Sequence, residues 1–139
     1  MPEWAAAPPS MMDIVTAYYP ETKPKGDLRL RPCLVTAVYV DEDTQEFLCD
    51  VAYGTTNLKA WVRMGKDVII QNISDLDSVG LPRATRFNLD IRDRVLLVWG
   101  DRDFGCWTGN SSPRIGTLTD HYQREYAFCM MKQMSEQQE

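Results

Sequence analysis

Apolar positions along this chain come in short bursts separated by polar turns, with a helical period only at the end. Asp13-Ile14-Val15-Thr16-Ala17-Tyr18-Tyr19 is β-branched and aromatic and halts at Pro20, which predicts a first strand. Residues 20–30, with two prolines and a glycine, predict a loop. Residues 32–40 are almost continuously apolar and predict a central strand. Asp41-Glu42-Asp43-Thr44 predicts a polar turn and residues 46–53 a third strand, so the two strands make a hairpin. Shorter strand signals follow at 58–62, 67–70, 85–89, 95–99 and 113–118. Residues 71–82 read as a loop or short helical turn closing at Gly80-Leu81-Pro82. Residues 100–112, rich in Gly, Asp, Ser and aromatics, read as an exposed loop.

Thr119 or Asp120 can cap a C-terminal helix. Tyr122, Tyr126, Cys129, Met130 and Met134 then recur on one helical face. That stripe reads as core packing, with a dimer contact as the sharper alternative. Many short strands with Gly- and Pro-rich turns, closed by one helix, predict a mainly β fold: a small β-barrel with a C-terminal α-helix. A length of 139 residues suits one domain. Residues 1–11 read as a flexible lead-in, 12–134 as that domain and 135–139 as a frayed tail.

Composition narrows the function classes. No apolar run is long enough to span a bilayer, so no membrane role is expected. The first ten residues lack the charged and apolar regions of a signal peptide, and a cytoplasmic protein is the expectation. Cys33, Cys49, Cys106 and Cys129 are far apart and His121 is alone, which argues against a structural zinc site. Buried reduced thiols are expected instead.

Net charge is −5, a poor start for a generic nucleic-acid binder. The distribution changes that picture. Eight of the fifteen Lys/Arg residues fall in two windows: Lys23, Lys25, Arg29 and Arg31, then Arg83, Arg86, Arg92 and Arg94. Acids concentrate elsewhere, at Asp41-Glu42-Asp43 and at Asp75 and Asp77. If the windows meet, the protein has a local anion site on an acidic body. The plainer reading is solvated strand-end charge.

The order of motifs resembles the MazF/PemK toxin family, whose small SH3-like barrel is shared with the CcdB gyrase poison. The first strand ending in an aromatic and a proline is one match. Arg31-Pro32-Cys33-Leu34-Val35 matches the family's Arg-Pro-x-x-Val, and Ala52-Tyr53-Gly54-Thr55-Thr56 matches a third strand ending in hydroxyls. Gly80-Leu81-Pro82 and Ile115-Gly116-Thr117-Leu118 with the capped helix complete it, over most of residues 12–134. The segment Ala52-Tyr53-Gly54-Thr55 looks most like a PemK-like branch. The resemblance implies a metal-independent endoribonuclease without cofactor, cutting single-stranded RNA as a homodimer and held off by an antitoxin. It implies Arg31 and Thr55 as catalytic residues, with Thr56 as the neighbouring hydroxyl.

Cleavage by a 2′-hydroxyl needs a base, an acid and donors for the phosphoryl oxygens. The planar fork of Arg31 suits the donor role. Lys25, Arg29 and Arg86 are candidate substrate-binding cations. Some family members carry an acid on the later strand, where two registers place either Asn88 or Asp93, with Asp90 close by. Asn88 can bind but cannot move a proton. Tyr53, Trp61 or Phe87 could stack bases, against a core role for each. The competing expectation is a non-catalytic protein-binding module on the same barrel, an inhibitor or a phage or mobile-element counter-defence protein, using its acidic clusters on a basic partner. A topoisomerase poison is a third reading, on fold analogy alone.

Overall fold

The near-continuous apolar run is a central strand, and the strand after it is its hairpin partner. The structure, a computed structural model, describes residues 7–18, 30–58 and 66–137. Its strands are β1 (Asp13–Tyr18), β2 (Leu30–Val40), β3 (Phe47–Thr55), β4 (Asp67–Ile70), β5 (Thr85–Asn88), β6 (Val95–Val98) and β7 (Arg114–Thr117). Helix α1 (Ile73–Val79) follows β4, a 3-10 turn (Ile91–Asp93) follows β5, and α2 (Asp120–Gln137) closes the chain. The strands are antiparallel in the order β4-β5-β3-β2-β1-β7, with β6 added on β3. This curled half-barrel with a terminal helix is the mainly β class the pattern predicts. The strand expected at 58–62 lies, apart from Leu58, outside the described residues.

A bulge explains why β2 shows no alternation. The β2–β3 register shifts between Val35 and Ala37, so Thr36 is an extra residue. Its buried hydroxyl donates to the Asp50 carbonyl (2.9 Å) and to Asp50 Oδ2 (3.1 Å). Past Thr36 the side-chain phase inverts, and the sheet has a core on each face. One core joins Ile14, Leu34, Ala52 and Phe87 to Val79 of α1 and to Tyr122 and Tyr126 of α2. The other joins Val15, Cys33, Val35, Val51 and Leu97 to Phe104.

Residues 100–112 form the predicted loop, exposed at 101–102 and 108–112, but Phe104 within it turns inward. It is buried and bridged to Ala17, and the Tyr18 N–H donates to the Asp103 carbonyl (2.8 Å). The loop serves β1 as a partial strand because that edge has backbone groups to satisfy. The helical stripe also needs correction. Tyr122, Tyr126 and Cys129 are buried, but Met134 is 60% exposed. Gln133 takes the inward position: its Oε1 accepts from the Ile91 N–H (3.0 Å) and its Nε2 donates to the Leu89 carbonyl (2.9 Å). The helix also runs through Gln137, into the stretch expected to fray.

All four cysteines are free, and Cys33, Cys49 and Cys129 are buried. Burial pushes the Cys49 thiol up to about 12, which keeps it protonated and inert. Among the described residues no helix is long and apolar enough to cross a membrane.

Two glycines lock α1 onto β7. Gly80 caps α1 in the left-handed region (φ 78°), and a Cβ there would strike the Ile115 carbonyl. A Cβ on Gly116 would strike the Val79 carbonyl. Gly100 has open space instead. Gly116→Ala should therefore cost roughly 2–3 kcal/mol in urea unfolding, the overpacking range. Gly100→Ala should stay within about 0.5 kcal/mol, as surface changes do.

Candidate functional site

Strand β3 changes partners along its length. On one edge it pairs with β2; on the other it pairs with β6 over Leu48–Val51 and with β5 at Gly54 and Thr55. The switch needs a residue without a side chain. A Cβ on Gly54 would lie 2.5 Å from the Pro32 carbonyl and 2.9 Å from the Phe87 ring. That close approach sets three polar side chains level. The β2–β3 register pairs Cys33 with Tyr53, and continued by two residues it sets Arg31 against Thr55. Thr55 in turn pairs with Arg86, and Arg86 with Ile69. Opposed residues share a sheet face, so Arg31, Thr55 and Arg86 form a row across β2, β3 and β5.

Each member is held. The Arg31 guanidinium lies 6.0 Å from the centre of the Tyr53 ring. The Thr55 hydroxyl accepts from the Asn57 N–H (3.1 Å), which leaves its own proton to donate. Arg86 Nε donates to the Asn57 carbonyl (3.4 Å), and its Nη1 reaches Asp67 Oδ1 at 3.3 Å. The Asp67 side chain is fully buried. Asp67 opposes Asn88 on β5. Asn88 Nδ2 donates to Asp93 Oδ2 (2.9 Å), and Asn88 Oδ1 accepts from the Asp90 N–H (3.1 Å).

Both candidates for the acidic position are thus present side by side. Asn88 holds the strand position, and the 3-10 turn brings the Asp93 carboxylate back against it. Thr56 is exposed just past β3. Lys25, Arg29 and Trp61 lie outside the described residues. Phe87 is core, whereas Tyr53 is half-buried beside Arg31.

The second basic window does not converge as a group. Arg86 joins the row and Arg83 is exposed. Arg94 is largely but not fully buried, donating to the Leu89 carbonyl (3.1 Å) and packing over the Tyr126 ring. Arg92 turns to Asp90, giving its Nη2 to Oδ2 (2.8 Å) and its N–H to Oδ1 (3.0 Å). These Arg92 hydrogen bonds, helped by Lys66 at 3.6 Å, hold the buried Asp90 carboxyl well below the usual carboxylate range. Asp75 accepts from the Tyr122 hydroxyl (2.6 Å), and burial together with that bond pushes Tyr122 up to about 12.

Sequence reading missed Asp67. Its only signal was an acid opening the apolar run Asp67-Val68-Ile69-Ile70, and its partner Arg86 is set by strand register. Among the described residues no group of three or more His, Cys, Asp or Glu is placed to hold a metal.

Asp67→Ala removes the carboxylate from a largely buried ion pair and should cost about 3–5 kcal/mol in denaturant unfolding. Asp90 has the opposite kind of readout. Its folded pKa lies below its unfolded one, so it adds stability above about pH 4 and loses it as pH falls further. Asp90→Asn should therefore lower stability at neutral pH and flatten the acid limb of a stability-against-pH curve. No family model matches the chain, and no curated protein matches it.

Proposed function

We propose that this chain is a PemK/MazF-like toxin: a metal-independent endoribonuclease that grips single-stranded RNA at the Arg31–Thr55–Arg86 row. The observation that carries the reading is the row itself, a threonine paired with Arg86 on one side and, by continuing the β2–β3 register two residues, set against Arg31 on the other. Arg31 and Thr55 donate to the non-bridging oxygens of one phosphodiester, and Arg86, steadied by Asp67, takes the neighbouring phosphate. Tyr53, beside Arg31, offers a ring to a base.

The ribose 2′-oxygen attacks phosphorus, the P–O5′ bond breaks, and the products are a 2′,3′-cyclic phosphate and a free 5′-hydroxyl. Arginine is a poor base, since its pKa exceeds about 12. Asp93 is the exposed carboxylate of the cluster, oriented by Asn88, and it takes the 2′ proton. The leaving 5′-oxygen is protonated from solvent. A cytoplasmic homodimer held off by an antitoxin belongs to the same reading. The second reading, a non-catalytic binding module, rests on Asn88, an amide at the strand position where a carboxylate would move a proton.

The test is a long single-stranded RNA incubated with purified protein in EDTA. Wild type should cut it and leave cyclic phosphate ends. Arg31→Ala should lower the rate by about 10²–10³, the cost of one preorganised donor to a developing charge. Asp93→Asn should lower the rate with little change in RNA affinity. Equal cleavage by wild type and Arg31→Ala, or none by wild type over a wide concentration range, ends the nuclease reading.

A further inference from the structure

The end of the hairpin farthest from Arg31 leaves a sheet face uncovered. Past the Thr36 bulge, Ala37 faces Asp50 and Leu96, while Tyr39 faces Leu48 and Val98. Opposed residues of antiparallel strands point to one side. Ala37, Tyr39, Leu48, Leu96 and Val98 therefore share one face three strands wide, apolar except for Asp50, which sits between Ala37 and Leu96 and is paired with Arg94 at 3.7 Å. None of the five belongs to either core, and Tyr39 and Leu96 are 53% and 54% exposed. A contiguous exposed apolar face marks an interaction site more often than chance surface.

The rim of this face is acidic. Asp41, Glu42, Asp43 and Glu46 sit in the β2–β3 turn, and Asp101 and Asp103 follow β6. The Trp99 N–H donates to the Phe47 carbonyl (2.9 Å), which ties the two turns side by side. Six acids against one arginine, Arg102, leave a charge of −5, equal to the net charge of the whole chain. The remaining fourteen acids are matched by fourteen Lys and Arg residues.

We infer that this face docks a basic protein segment, with aliphatic or aromatic anchors on the sheet and Lys or Arg side chains at the rim. Charge complementarity selects that occupant. A second copy is the wrong one for two reasons. A two-fold contact would set the acidic rim against itself. Five side chains also cover on the order of a few hundred Å², whereas a stable dimer needs roughly 800 Å² from each partner. The rim repels phosphate, so RNA is the wrong occupant as well. The segment lies on the face and not along the β6 edge, because Asp103 Oδ2 already accepts from the Val98 N–H (2.8 Å).

A random peptide library displayed on phage, selected on the full chain and counter-selected on Leu96→Ser, tests this. The expected winners carry net positive charge and at least one aliphatic or aromatic anchor. They should lose about tenfold in affinity against Leu96→Ser, as a truncated interface anchor does. Raising the salt should weaken them, because rim charges are screened. Glu42→Gln/Asp43→Asn/Glu46→Gln alters only exposed acids outside both cores, so it keeps the fold. It should weaken the same peptides several-fold. No winners, winners without positive charge, or winners indifferent to both variants overturn the proposal. So does a dimer in sedimentation that Leu96→Ser dissociates.

Discussion

The missing side chain of Gly54 is the constraint on which the sheet's arrangement depends. β3 has to give one edge to β2 and divide the other between β6 and β5. At the division the Pro32 carbonyl and the Phe87 ring close on the same point from two sides. Any Cβ there would push β2 or β5 away, and Arg31 and Arg86 ride on those two strands. The level row of Arg31, Thr55 and Arg86 is thus a consequence of close packing one residue away. The same Phe87 ring belongs to the core beneath α2, so the spacing of the polar row is braced by apolar burial.

Charge is organised along the length of β2. Arg31 stands near its start, and the acidic turn begins directly after Val40. Nine strand steps separate Arg31 from Val40, about 30 Å at roughly 3.3 Å per residue. Exposed charges interact over about 8 Å at physiological ionic strength. The acids that make the chain anionic therefore have little influence at the arginine row. A bulk charge of −5 argues against phosphate binding only if it is spread evenly, and here one end holds all of it.

Local signals were the legible ones. The hairpin followed from an apolar run, a polar turn and a second β-prone run, all within residues 32–53. The terminal helix followed from its cap and spacing. Contacts that depend on register between distant segments were not legible. Arg86, Arg92 and Arg94 look alike in the sequence, yet one faces the candidate site, one ties down Asp90 and one is largely buried under α2. Asp67 gains its role only because β4 and β5 align it with Asn88. Gln133 lies outside the helical stripe read from the sequence, but its amide matches the two backbone groups at Leu89 and Ile91 that an apolar side chain would leave unsatisfied.

Arg94 shows how α2 is tied to the half-barrel. Its side chain is 9% exposed, and its contacts come from three directions. Nη1 lies 3.7 Å from Asp50 on β3, Nη2 donates to the Leu89 carbonyl, and the guanidinium packs against Tyr126 and the Met130 sulfur of α2. Nε has no hydrogen-bond partner, so the burial is incompletely compensated. A cation held that way persists only where several elements fix it together. Here those elements are β3, the corner after β5 and the helix. Leu89 follows Asn88 directly, and its carbonyl takes donors from both Arg94 and Gln133. The helix therefore fixes the backbone on which the Asn88–Asp93 pair is mounted, and the polar end of the site is held in place from behind the sheet.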